Sequence, residues 1–104
     1  MMISRIWYGW TTQANAAAYQ SLLEGEILPG IANRGIDGYR GAHLLRRELE
    51  SEVEFVTILW FESMQALKSF AGEDYETAVV PPKARALLNR FDGVSAHYQT
   101  LIEP

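Results

Sequence analysis

Apolar residues are densest over residues 53–61, where only a glutamate and a threonine interrupt a run of β-branched, aliphatic and aromatic side chains. A run this short and this apolar is typical of a strand that is covered on both faces and therefore lies inside its sheet. Side chains alternate across a strand, which divides the run into two faces. One face holds Val53, Phe55, Thr57, Leu59 and Phe61, and the other holds Glu54, Val56, Ile58 and Trp60.

The rest of the pattern predicts three further strands, over residues 3–11, 39–49 and 94–102. Helical spacing predicts a helix over residues 13–28 with Thr12 as its N-cap, a second helix after Ser63, and a third from Pro82 to Phe91. We expect Pro29 to end the first helix or to begin a short further turn. The predicted order is β-α-β-β-α-β, which is the ferredoxin-like α+β order with a four-stranded antiparallel sheet. We expect residues 1–104 to form a single domain.

A sheet with helices on one face needs cover for its other face. Both faces of the central strand are apolar, and an exposed apolar patch of that size is uncommon on a soluble monomer. We therefore predict that two sheets pack face to face in a twofold-symmetric homodimer, as in a dimeric α+β barrel. In this arrangement we expect Trp60 to look toward the helices and the face that carries Leu59 to form the dimer interface.

Composition excludes several classes of function. The net charge is −4 and the isoelectric point about 5.1, so the chain lacks the positive field that nucleic acid requires. No apolar run is long enough to span a bilayer, and the first residues do not resemble a signal peptide. The absence of cysteine excludes disulfides and thiolate metal sites and suits a cytoplasmic protein.

The candidate catalytic residues are His43 and His97, the only side chains whose ordinary pKa lies near neutral pH. Both fall in the middle of predicted strands, where they could lie close together and take a proton from a phenol, or could be hydrogen-bonded structural residues. Two histidines without a carboxylate at ligand spacing are too few for a metal site. We therefore expect no metal and no cofactor.

The candidate substrate-binding residues are aromatic. Trp60, at the end of the central strand, could stack on a flat ligand or fill the core. Trp7 and Tyr8 on the first strand could line a pocket or a subunit interface. Tyr75 lies in the break between two predicted helices, where it could close over a pocket or simply mark the end of a helix.

Several of these segments resemble the antibiotic biosynthesis monooxygenase family of the dimeric α+β barrel superfamily. The resemblance rests on four stretches, which are Arg5-Ile6-Trp7-Tyr8-Gly9-Trp10-Thr11, Pro29-Gly30-Ile31, Gly38-Tyr39-Arg40-Gly41, and Val56 to Ser63 with the helix that follows. It implies a homodimer with one pocket per subunit between sheet and helices. It also implies oxygenation of phenolic or quinol-like substrates by O2 without a cofactor, with Trp60 at the position of the tryptophan that lines the family pocket.

Two features depart from the family pattern. Quinone-forming members carry an asparagine on the central strand where this chain has Val56 and Ile58, and haem-degrading members carry a histidine on the following helix, which residues 64–75 lack. The expected function is a cofactor-independent monooxygenase that acts on a phenolic or polyketide-like aromatic substrate. The alternatives are a non-catalytic homodimer that binds a small apolar ligand, and a haem-degrading monooxygenase.

Overall fold

The computed structural model describes residues 2–103. It contains five strands, which are β1 (Ile3–Thr12), β2 (Tyr39–Glu48), β3 (Glu52–Phe61), β4 (Leu88–Phe91) and β5 (Ala96–Gln99). Its helices are α1 (Ala16–Leu22), a π-helical segment (Leu23–Ile27), α2 (Leu28–Ala32), α3 (Met64–Ala71) and α4 (Pro82–Leu87).

The sheet is antiparallel and has the order β2-β3-β1-β4, with β5 also paired to β1. The predicted ferredoxin-like α+β arrangement is confirmed, and β3 lies inside the sheet with β1 and β2 on either side. The C-terminal part of the sheet differs from the prediction of one strand over residues 94–102. Two short strands, β4 and β5, pair with β1 instead. The helix expected to reach Phe91 ends at Leu87, since Leu88 is already extended and the ring of Phe91 packs 5.9 Å from that of Trp7.

The first helical region begins three residues later and ends four residues later than the predicted range 13–28. It begins at Ala16 with Asn15 as N-cap, and Thr12, the predicted cap, instead accepts a hydrogen bond from the Asn15 N–H at 3.2 Å. The helix continues through Pro29 to Ala32. The π-helical turn before Pro29 explains this, because the wider turn removes the hydrogen bond that a proline inside a regular α-helix would break.

The two faces of β3 are opposite to the expectation. Val53, Phe55, Leu59 and Phe61 are buried beneath the helices, whereas Trp60 points to the outer face of the sheet. Glu54 lies on the same face of β3 as Trp60 and is compatible with this outer position. Its carboxylate pairs with Arg47 at 2.7 Å on the open face, and a charged pair of this kind cannot replace apolar contacts under the helices.

The core under the helices consists of two clusters. Val53 and Phe55 pack with α1 and α4, while Leu59 and Phe61 pack with α3. Ser63 caps α3 as predicted, with its side chain accepting a hydrogen bond from the Ala66 N–H at 3.1 Å. The residue of β3 between the clusters is the small, polar Thr57, so the two clusters do not close against each other at this point.

Candidate functional site

A cavity lies between the sheet and the helices, where the two core clusters meet. Its volume is about 70 Å³, enough for a few water molecules. Its walls are apolar on the helix side and include three polar residues of the sheet and its C-terminal edge, Arg5, Thr57 and Ser95. The apolar walls come from residues that include Tyr19, Leu23, Ile27, Leu28, Ile31, Leu59, Phe70 and Ala84.

Arg5 is the most unusual residue at this cavity, because it is a cation that is only 4% exposed. Its Nη1 donates to the backbone oxygen of Tyr75 and to His97 Nε2 at 2.9 Å, and its Nη2 donates to the backbone oxygen of Thr77 at 3.3 Å. All three acceptors are neutral, and within residues 2–103 no carboxylate forms an ion pair with Arg5. Burial lowers the pKa of the Arg5 guanidinium, although an arginine remains charged in a protein.

His97 is held in its neutral form by this contact. A guanidinium can only donate, so His97 Nε2 must be an unprotonated acceptor and the ring proton must reside on Nδ1. Partial burial lowers the pKa of His97, the positive charge of Arg5 lowers it further, and Glu76 opposes the shift. The ring of Tyr75 lies edge-on to the imidazole with 5.3 Å between ring centres. His97 is therefore a neutral, oriented base next to a buried cation.

The loop between α3 and α4 covers the cavity. Val79, Val80 and Pro81 form part of its wall, and the same loop supplies the two carbonyls that Arg5 binds. Trp7 also lines the cavity, and its Nε1 donates to the backbone oxygen of Asp92 at 2.7 Å. Arg5 thus links the floor of the cavity, which is the sheet, to the loop that covers it.

The six residues singled out from the sequence fall into two groups. Trp7, Tyr75 and His97 lie on the helix side, at the cavity or against Arg5. The other three, Tyr8, His43 and Trp60, lie on the outer face of the sheet. There, Tyr8 stacks on Trp10 with 6.3 Å between ring centres, and His43 packs edge-on against Trp60 at 4.6 Å.

The structure does not place His43 and His97 close together in one chain. His43 is on β2 and His97 is on β5, with β3 and β1 between them, so neighbouring-strand spacing alone separates them by roughly 14 Å. Their side chains also point to opposite faces of the sheet, because His97 is opposite Arg5 and His43 is opposite Ile58. Of the two, only His97 contacts a residue that lines the cavity, which is Arg5.

Sequence reasoning overlooked Arg5, although a signal was present. Arg5 shares a face of the first strand with Ile3, Trp7 and Gly9, so it occupies a buried position in the pattern of that strand. A lone charged residue in the buried phase of a strand is costly unless it is paired or functional. Such a residue is a reasonable candidate for a site even when nothing else marks it.

The described part of the chain holds no group of three or more His, Asp or Glu side chains placed to bind a metal ion. None of the helices within residues 2–103 is long and apolar enough to cross a membrane.

The architecture places this chain in the class of ferredoxin-like α+β folds, with a small cavity between sheet and helices. Three solved structures share the fold over nearly the whole chain. Rv0793 from Mycobacterium tuberculosis is 19% identical over 99% of this chain and 98% of its own, with a TM-score of 0.65. A candidate antibiotic biosynthesis monooxygenase from Bacillus cereus is 16% identical over 100% of this chain and 95% of its own, with a TM-score of 0.68.

The third structure is SnoaB from Streptomyces nogalater, a cofactor-independent oxygenase, which is 19% identical over 98% of both chains with a TM-score of 0.58. No protein-family model and no curated protein sequence matches this chain. The resemblance to antibiotic biosynthesis monooxygenases is therefore confirmed at the level of the fold.

Proposed function

We propose that this protein is a small cofactor-independent monooxygenase that oxidises a phenolic aromatic compound in the cavity between sheet and helices. The observation that carries the proposal is Arg5, a buried cation in the wall of a mostly apolar cavity, with neutral His97 hydrogen-bonded to it. Apolar walls orient a flat ring and exclude water, and a few polar groups at one end fix its orientation. The similarity in fold to a cofactor-independent oxygenase supports the same reaction class.

The proposed reaction begins with removal of the phenolic proton. His97 Nε2 takes the proton while an N–H of Arg5 turns from Nε2 to the phenolic oxygen. The electron-rich phenolate ring then reacts with O2. One oxygen atom enters the ring, the other leaves as water, and the phenol becomes a quinone. The substrate supplies all four electrons that reduce O2, so the balance closes without an added reductant.

The energetics of the first step assign a definite task to Arg5. An ordinary phenol with a pKa of about 10 loses its proton to an imidazole of ordinary pKa, about 6.5, at a cost of about 5 kcal/mol. The lowered pKa of His97 increases this cost. A buried cation next to the phenolic oxygen offsets it, because an opposite charge at close range favours the ionised form.

Entry of a substrate requires the cavity to widen. Sites for drug-sized ligands typically measure about 300–1,000 Å³, well above the 70 Å³ of this cavity. The loop that carries Tyr75 and Thr77 is the part that we expect to move. Arg5 binds the loop through two hydrogen bonds to backbone oxygens, and the loop also pairs through its backbone with Gly93 and Ser95. An arriving anionic oxygen competes for the same guanidinium and so helps to release the loop.

The outer face of the sheet supports a second part of the proposal, the homodimer. Ile6, Tyr8, Val56, Ile58 and Trp60 are only half-buried there, and no helix covers them. A second copy of the sheet would cover this face. Tyr8, His43 and Trp60 then belong to the interface rather than to the cavity.

The test of the function compares Trp7→Phe with Trp60→Phe while O2 uptake is measured with naphthols and hydroquinones. Both variants keep an aromatic ring, but only Trp7 lines the cavity. We expect Trp7→Phe to lower kcat/KM several-fold, which corresponds to about 1 kcal/mol of aromatic contact, and Trp60→Phe to leave it unchanged. The reverse result would place the active site on the outer face. Ligand binding in the cavity without O2 uptake by any compound would identify a binding protein instead of an oxygenase.

A further inference from the structure

Arg5 is a buried cation with unused hydrogen-bonding capacity. A guanidinium has five N–H donors, and the contacts to Tyr75, Thr77 and His97 account for three of them. The N–H on Nε and one N–H on Nη2 have no partner among residues 2–103. These donors belong to a side chain that lines the cavity. Donors of this type match the paired lone pairs of an anionic oxygen group.

The surroundings of Arg5 do not neutralise its charge. The nearest groups that it contacts are two carbonyls, a neutral imidazole and the face of Phe70, whose ring centre is 5.5 Å from Arg5 Cζ. This contrasts with the surface, where Arg40, Arg47 and Arg90 each pair with a glutamate. A buried charge without a counter-ion is costly in free energy, and an anionic ligand is the partner that would remove this cost.

We propose that the cavity binds its ligand as an oxyanion held by Arg5, so that its ligands are compact aromatic compounds with an oxygen that is ionised at neutral pH. Acidic phenols and enols conjugated to a carbonyl belong to this class, and so do arenecarboxylates. The inference rests on the proposed function only in placing the ligand in this cavity, and it does not depend on oxygenation. It narrows the substrate from any phenol to one that arrives as an anion or becomes one against Arg5.

The inference is tested by the direction in which the protein shifts the pKa of a bound phenol. 4-Nitrophenol is a compact probe that O2 does not readily oxidise, and its phenolate is yellow whereas its phenol is colourless. An apolar cavity alone would raise the pKa of the bound probe, and a buried cation beside its oxygen would lower it. We expect the wild-type protein to lower the apparent pKa of 4-nitrophenol in a saturable way, as followed by absorbance.

Arg5→Met removes the cation and keeps a long apolar side chain. We expect this variant to abolish the downward shift or to reverse it. Arg34→Met is the matched control, because Arg34 also lies over the Phe70 ring, at 5.1 Å, but does not line the cavity. We expect Arg34→Met to behave as the wild-type protein does. Arg5→Lys, which keeps the charge without the planar fork, should retain part of the shift and serves if Arg5→Met does not fold.

Benzoate and benzamide provide a second measurement on the wild-type protein alone. They have nearly the same shape and differ in charge, and we expect benzoate to bind about tenfold more tightly in ligand-observed NMR. An upward shift of the nitrophenol pKa, an unchanged shift in Arg5→Met, or no saturable binding of either probe would overturn the inference. O2 uptake with neutral naphthols but no nitrophenol shift would leave the oxygenase standing without the oxyanion site. The opposite pair of results would leave the oxyanion site without the oxygenase.

Discussion

The clearest test of the proposed dimer is Ile6→Asp. Ile6 lies on the outer face of β1, one of the two inner strands, opposite Ile58 on β3 and Ala96 on β5. No titratable side chain is directly opposite it, so an introduced carboxylate gains no partner there. In the monomer the Ile6 side chain is only half-buried, and we expect the substitution to cost about 1–2 kcal/mol of folding stability.

The cost in a dimer would be much larger. A twofold interface contains the substitution twice, and an unpaired carboxylate in a dry interface costs several kcal/mol. Even about 3 kcal/mol for each copy raises the dimer Kd by roughly 10⁴-fold, because about 1.4 kcal/mol corresponds to a factor of ten. This change moves a nanomolar dimer to a Kd of tens of micromolar.

The assay is sedimentation equilibrium at micromolar concentration. We expect the wild-type protein at twice 11.7 kDa and Ile6→Asp at 11.7 kDa, with the same circular dichroism spectrum. Leu59→Asp is the contrasting variant. Leu59 is 6% exposed and faces the cavity, so we expect its replacement to unfold the chain rather than to separate folded subunits. A wild-type monomer, or a folded Ile6→Asp variant that remains dimeric, would refute the face-to-face arrangement.

Two further predictions concern buried polar groups. Thr11 is fully buried, and within residues 2–103 its hydroxyl has no hydrogen-bond partner. Thr11→Val should therefore raise the free energy of unfolding, measured by urea titration, by about 1 kcal/mol. A loss of stability would show that the hydroxyl does have a partner. Because the folded-state pKa of His97 is lowered, the unfolded chain binds more protons, and stability should fall as the pH drops below about 6.5 until it passes the folded-state pKa. His97→Gln should reduce the difference in urea midpoint between pH 7.5 and pH 5.5, and an unchanged difference would assign the pH dependence to other groups.

The sequence by itself determined most of the local elements and their order, but it assigned the residues of β4 to a helix. Alternation of side chains marks a strand wherever it occurs, and a serine before an apolar helix caps it through a contact three residues away, as Ser63 does with Ala66. These signals depend only on residues that are close together in the sequence, so they can be recognised without knowledge of the fold. For the same reason the central position of residues 53–61 was predictable from their composition alone.

Only the tertiary structure decided which side of the sheet carries the site. Both faces of β3 are apolar enough to be buried, and the choice between them depends on which face the helices reach, which placed Trp60 outside and Leu59 inside. The site itself joins Arg5 to a histidine 92 residues away and to a loop carbonyl 70 residues away. The pairing of β5 with β1 brings His97 opposite Arg5, and the hydrogen bond from the Ser95 N–H to the Glu76 oxygen holds the loop beside them. No local pattern in the sequence records either contact.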